Sequence, residues 1–284
     1  MLGRQKTGST LCPSCGGLVG VNDESCYHCG RRRPGLWGLS RYLRGGSLES
    51  LFVPGIWWTC GALFLATLAA DPEGIGMGGL LGMVSPSMES LFRFGASGAV
   101  PVFGYGRWWT LLSAGWLHGG IVHILFNMMA VRDLGFAVAH VYGPARAVIL
   151  YVAAGACGFL ASTLAGAFLP FLPGFLRGAS FTIGASASVF GLVGALLHYS
   201  RRGGSSQLRA AAQRWILIGA LFGFMVPGID NWAHLGGLVA GYLVSAWLDP
   251  LMPERGDHLV GAAVCLVLSV AAIVTSVAAG LPRG

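Results

Sequence analysis

The chain has 284 residues, of which 54% are hydrophobic and 10% charged, against about 25% charged in a soluble domain. This excludes a soluble globular enzyme and implies a polytopic membrane protein whose first partner is the lipid bilayer. The formal charge of +7 would also suit a nucleic-acid partner. That partner is set aside because the basic residues gather in the loops on one side of the expected spans.

Residues 1–34 form a small polar module. Cys12-Pro13-Ser14-Cys15 and Cys26-Tyr27-His28-Cys29 are two paired knuckles, the pattern of four thiolates around a tetrahedral structural zinc. Disulfides are the alternative, disfavoured if the module faces a reducing cytoplasm. So short a segment cannot bury a core, so metal would supply its folding energy. Arg31, Arg32 and Arg33 follow, able to meet anionic lipid headgroups or to fix topology. Metal loading would then set the position of the first span, and the module could recruit a cytoplasmic partner. Residues 35–50, with Arg41 and Arg44, read as a basic juxtamembrane linker. No cleavable signal peptide is expected, because the N-terminus is polar.

The first apolar run begins near Leu51. Spans are expected near residues 51–70, 114–137, 144–168, 185–200, 213–227, 232–248 and 258–280, the fourth and fifth being short and broken by glycine. Residues 71–113, with Pro72, Pro86, Pro101 and the aromatic run Tyr105 to Trp109, predict a loop with short interfacial helices. Cys60, Cys157 and Cys265 are scattered in apolar runs and read as small packing residues.

All but four of the 18 basic residues fall on one side of these spans, the exceptions being Arg93, Arg107, Arg177 and Arg283. The positive-inside rule then puts the N-terminus in the cytoplasm, and seven spans put the C-terminus outside. The second, fourth and sixth spans enter from the outer face. They carry His123 and Asn127, Ser186, and His234, so three separated motifs fall at similar shallow depth.

Each motif has a chemical and a plain alternative. Ser186 follows a Pro- and Gly-rich loop, with Gly184 allowing a tight bend. A helix starting there offers free N–H groups and positive dipole to an oxyanion. Ser186 or Ser188 could equally cap or pack a glycine-rich helix. His234 shares a helical face with Gly237 and Gly241, which permit the close approach that a Ser–His hydrogen bond across two helices needs. Alternatively it is an interface histidine beside Trp232. Asp230 could orient its imidazole, but reads better as a solvated loop charge. His123 and Asn127 are four apart on one face, and both can donate to an oxyanion. Asn is a poor metal ligand, which argues against zinc there. His118 precedes the pair and reads as structural. His140, His198 and His258 read as ordinary interfacial residues.

With these motifs in place, the chain resembles the rhomboid family of intramembrane serine proteases over roughly residues 50–248. The run Gly184 to Leu192 is similar to the family's GASGAxFGL, which points to Ser186 rather than Ser188 as nucleophile. Ala233, His234, Gly237 and Gly241 follow AHxxGxxxG, His123 and Asn127 follow HxxxN, and His118 matches the histidine of the FLH segment. Two positions depart: Ala187 replaces a glycine beside the oxyanion site, and Thr110 stands where the loop's YWRLLT motif has Arg, with Arg107 three residues earlier.

The resemblance implies an all-α fold. A six-helix core (51–248) would be followed by a loop and seventh helix (249–284) and preceded by the zinc ribbon. It also implies a Ser186–His234 dyad with no obligatory acid and an oxyanion hole of His123, Asn127 and the Ser186 N–H. No cofactor is implied for catalysis. Substrates would be single-span membrane proteins cut near the outer face of a bacterial cell (inner) membrane. A catalytically inactive relative acting as chaperone or trafficking factor is the main alternative. A transporter is disfavoured because no internal repeat is visible.

Overall fold

A computed structural model of the chain describes residues 5–38, 46–78, 82–203, 205–252 and 254–280. The N-terminal module is a two-stranded antiparallel sheet, β1 (Ser9–Leu11) and β2 (Leu18–Gly20), in register Thr10 opposite Val19. Each knuckle closes on a glycine that the sequence places directly after the second cysteine. Gly16 and Gly30 adopt φ of 77° and 71° and return their N–H groups to the Cys12 and Cys26 carbonyls. Only glycine takes that conformation without strain. The module's buried cluster is Val19 with the knuckle cysteines Cys12 and Cys26. Arg4, Arg41, Arg44 and Arg283 lie outside the described residues, as do residues 39–45 of the expected linker.

Helix α1 (Gly46–Ala70) is followed by a hairpin of β3 (Gly76–Gly78) and β4 (Gly82–Ser85) and by the short helix α2 (Met88–Phe94). A π-turn at Val100–Gly104 and single turns at Thr110–Ser113 and Ala114–Trp116 lead to α3 (Ile121–Tyr142). Then come α4 (Pro144–Phe168), α5 (Ser186–Arg201), α6 (Ser206–Met225), α7 (Asn231–Trp247) and α8 (Gly256–Ala279).

One expectation needs correction and another is met in part. The fold is mostly helical rather than all-α, since the long loop carries the β3–β4 hairpin as well as short helices. Its glycines and lack of clear alternation gave no strand signal. Among the described residues, four helices are long and apolar enough to cross a membrane: residues 50–70 of α1, α3, α4 and α8. Helices α5 and α7, of 16 and 17 residues, are shorter, and α6 opens with Gln207, Arg209, Gln213 and Arg214. The span expected from residue 114 starts at Ile121, because Leu117 turns extended and Gly120 breaks the helix.

The centre of the molecule is the trio α4, α5 and α7, whose mutual contacts are the most extensive. Glycines set the spacing. A Cβ on Gly237 would overlap the Ala187 carbonyl, one on Gly241 the Gly191 carbonyl, and one on Gly194 the Leu238 carbonyl. The α5 and α7 backbones therefore touch, which only glycine permits. Helix α3 packs on α1 and α5, α6 lies on α5, and α8 lies on α4 and on the Thr110–Ser113 turn.

Candidate active site

Gly184 holds φ of 120° and donates its N–H to the Ala114 carbonyl at 3.0 Å. This ends the preceding loop abruptly and starts α5 at Ser186. The first helical bond of the turn runs from the Val189 N–H to the Ala185 carbonyl. The N–H groups of Ser186, Ala187 and Ser188 thus stand ahead of the helix's own ladder, at its positive end. The loop itself is held from two sides. Thr182 pairs with Ser97 (3.0 and 2.8 Å), and the Phe175 and Leu176 carbonyls accept from Asn231 (2.8 Å) and the Trp232 indole (2.7 Å) at the start of α7.

Ser186, His234 and His123 all line one cavity of about 550 Å³, together with Met88, Leu91, Ala96, Arg177 and Asp230. One turn beyond Ser186, Phe190 stacks on the His234 ring, centroids 4.3 Å apart at 18°. Residues i and i+4 share a helix face, so the stack places the imidazole over the face that carries Ser186. Asp230 is neither a triad partner nor a solvated loop charge. Its Oδ1 caps α7 by accepting from the Ala233 N–H at 3.0 Å, while Nδ1 of His234 is buried without a hydrogen bond.

His123 Nδ1 accepts from the Gly119 N–H at 3.3 Å, so a neutral ring carries its proton on Nε2. That nitrogen faces Gly184, where an added Cβ would lie 2.6 Å from it. Asn127, buried one turn later, donates to the His123 carbonyl at 3.1 Å, and its Nδ2 also lies toward Gly184. His118 is fully buried with its ring edge-on to His123, centroids 5.2 Å apart. Ser188 points elsewhere, its Oγ lying against Gly155 and Gly115. Ala187 is buried with Ala114, Phe159 and Ala233, and its methyl packs toward Gly158 rather than into the cavity. The extra methyl is thus accommodated between helices and does not narrow the site.

Three contributors were not visible in the sequence: the Phe190 stack, the Asp230 cap and the anchoring of the long loop. Phe190 sits inside the serine motif, where its place four residues after Ser186 was the only signal. Arg107 does not point into solvent. It is buried, lies 4.3 Å over the Phe92 ring, and donates to the Gly280 carbonyl at 2.6 Å. Thr110 closes its own turn by donating to the Arg107 carbonyl at 2.7 Å.

The four knuckle cysteines form a second candidate centre, with ligand sulfurs all within 4.8 Å of one another. Cys12 and Cys29 are 3.7 Å apart and Cys15 and Cys26 3.6 Å. None is a disulfide, and tetrahedral thiolates 2.3 Å from one zinc would sit about 3.8 Å apart. Burial pushes the Cys26 thiol up, but the His28 and Cys29 N–H groups and the neighbouring thiols outweigh it and bring it to about 6. The Arg31 N–H favours the Cys29 thiolate, yet burial and its three neighbours push it up to about 12. One thiolate forms readily and another is opposed, the imbalance a bound dication relieves. The cluster could hold a metal.

The Rhomboid domain family model matches residues 105–250. The chain is 35% identical to Rhomboid protease GluP of Bacillus subtilis over 66% of its length and 35% of that protein's. It is 31% identical to RHOMBOID-like protein 4 of Arabidopsis thaliana over 57% of this chain and 39% of that one. It is 29% identical to Inactive RHOMBOID-like protein 8 of the same plant, over 56% and 43%. The chain spans less than half the length of these relatives. With the motifs, the cavity and a match covering half its residues, this membrane protein belongs to the rhomboid family.

Proposed function

We propose that this protein is an intramembrane serine endopeptidase with Ser186 as nucleophile and His234 as its base. The observation that carries this is the shared cavity in which Ser186, His234 and His123 meet, with Phe190 fixing the imidazole. Similarity to a rhomboid protease supports it. His234 takes the proton as Ser186 Oγ attacks the scissile carbonyl, and returns it to the leaving amine as the C–N bond breaks. Water then hydrolyses the acyl-enzyme by the same relay. The developing oxyanion is held by His123 Nε2–H, Asn127 and the Ser186 N–H. A substrate helix must unwind to expose its peptide bond, so helix-breaking residues near the cut favour cleavage.

The test is cleavage of a fluorescent transmembrane substrate by the full chain in lipid vesicles. Ser186→Ala and His234→Ala are each expected to lower cleavage by about 10⁴-fold, while Ser188→Ala retains it. Wild-type rates in Ser186→Ala would sink the dyad. The inactive alternative, which similarity to an inactive relative keeps in view, predicts no cleavage by folded wild type and no gain from Ala187→Gly.

The wider assignment is also proposed: module 1–34, linker 35–50, six-span core 51–248 and a seventh span within 249–284. The N-terminus would be cytoplasmic in a bacterial inner membrane, and single-span proteins would be cut near the outer face. Cys12, Cys15, Cys26 and Cys29 would hold zinc, which supplies charge neutralisation and folding energy to the module and takes no part in hydrolysis. About one zinc per chain in the purified protein, lost in Cys26→Ser, is the expected analysis.

A further inference from the structure

We propose that the far end of α8 positions the substrate-facing wall of the cavity, through Arg107 and Trp109, and so sets the affinity for membrane substrates. The proposal rests on the protease reading above.

That wall is α2 and the two residues after it, which supply Met88, Leu91 and Ala96. Its opposite side is tied to α8. Arg107, buried, lies over the Phe92 ring and sends one arm to the Gly280 carbonyl at 2.6 Å. A carbonyl at a helix C-terminus lacks a helical partner and carries the negative end of the dipole, a favourable mate for guanidinium. The Trp109 indole donates to Ser276 Oγ at 2.9 Å. Ser276 is fully buried and lies against Gly95, the left-handed cap of α2 at φ 104°. Ser113 Oγ donates to the Gly95 carbonyl at 2.7 Å. Three elements therefore meet at Gly95: the end of α2, the Thr110–Ser113 turn and α8. On its other side Phe92 meets edge-on Phe181, itself a cavity residue, at 5.9 Å.

No described residue of α8 lines the cavity, so α8 acts on it through the elements it packs against, α4 and, at its far end, this junction. A buried arginine is costly unless its partners persist, so the loop is committed to the position α8 gives it. Arg107 and Trp109 are accordingly positioning residues, and touch neither Ser186 nor His234.

The experiment uses the full chain in lipid vesicles, comparing wild type with Ser276→Ala, Trp109→Phe, their double variant and Arg107→Lys. Three quantities are read: KM against kcat for the transmembrane substrate, the labelling rate of Ser186 by a small fluorophosphonate, and amide exchange over residues 88–113 without substrate. Ser276→Ala and Trp109→Phe are each expected to raise KM about three- to tenfold, the loss of one buried hydrogen bond. The double variant should be no worse than either, because the two share that bond. Exchange over 88–97 should quicken, while labelling, which needs the dyad but no docked helix, stays near wild type. Unchanged KM and exchange would overturn the proposal. So would a fall in labelling parallel to cleavage, which marks general loss of structure. Should Arg107→Lys fail to fold, the mild Ser276→Ala still decides. If wild type neither cleaves nor labels, the protease reading fails, and the exchange data alone then uphold or overturn the anchoring.

Discussion

At the scale of single residues, Gly184 shows how closely backbone and chemistry are joined. Its φ of 120° is unfavourable for any other residue, and a Cβ there would meet His123 Nε2 at 2.6 Å. Gly184→Ala is expected to destabilise the protein by about 1–3 kcal/mol and to displace the very donor assigned to the oxyanion. Thermal unfolding in detergent and cleavage in vesicles would report the two effects separately, cleavage falling by about 10²-fold. Asn127→Ala should lower kcat by a similar factor with little change in KM, since an oxyanion donor acts in the transition state. Ser186, His234, His123 and Asn127 could be singled out in the sequence because each motif fixes a chemical group at a helical spacing, and Ser186, His123 and His234 line one cavity. What the imidazole rests on was not legible. A phenyl ring such as Phe190 serves a core equally well, and only its stack on His234 tells the two roles apart.

At the scale of elements, α4 was legible to its ends, since Gly143 at φ 87° and Pro144 mark its start. Helices α5 and α7 were legible in place and in length, each within one residue of its expected ends. The β3–β4 hairpin had no signature, and the Arg107–Gly280 bond joins residues too far apart for any local pattern to announce. The approach of α5 and α7 was foreseen from Gly237 and Gly241, and it yields a sharp prediction. A Cβ on Gly241 overlaps the Gly191 carbonyl, a backbone atom that cannot rotate away. Gly241→Ala must therefore push the helices apart, and a shift of about 1 Å near a reacting pair costs about 10²-fold in rate. Gly61→Ala on α1, which meets nothing within 4 Å, should leave cleavage unchanged. Equal losses in the two variants would show that the approach of α5 to α7 is not what places His234.

At the scale of the whole molecule, the cysteine module meets the membrane body at the start of α8. The Gly256 N–H donates to the Pro13 carbonyl at 2.7 Å, between the first two cysteines, and Arg31, held by Ser14 Oγ at 2.6 Å, lies beside the same glycine. The described contact is thus with the last long helix, whereas the sequence had suggested control of the first. The segment before α8 has other holds. Buried Arg146 donates to the Asp249 carbonyl and to the Met252 carbonyl at 2.9 Å, and its N–H meets Glu254 at 2.9 Å. Arg202 and Asp249 pair at 3.3 Å, a partly exposed contact worth little alone. These partners belong to α4 and to the cap of α5, so they do not depend on the metal. Since the module's own buried cluster is two cysteines and Val19, stripping the metal should unfold it. Chelation is therefore expected to abolish amide protection over residues 5–38 and to loosen the first turn of α8. It should leave protection at Ser276, and cleavage within about twofold of wild type, because local unfolding stops where independent contacts begin. Exchange measured by mass spectrometry with and without chelator resolves the segments. If protection is lost along α8 as far as Ser276, the Arg146 contacts are too weak to isolate the module, and metal occupancy on one side of the membrane would reach the loop that walls the cavity on the other.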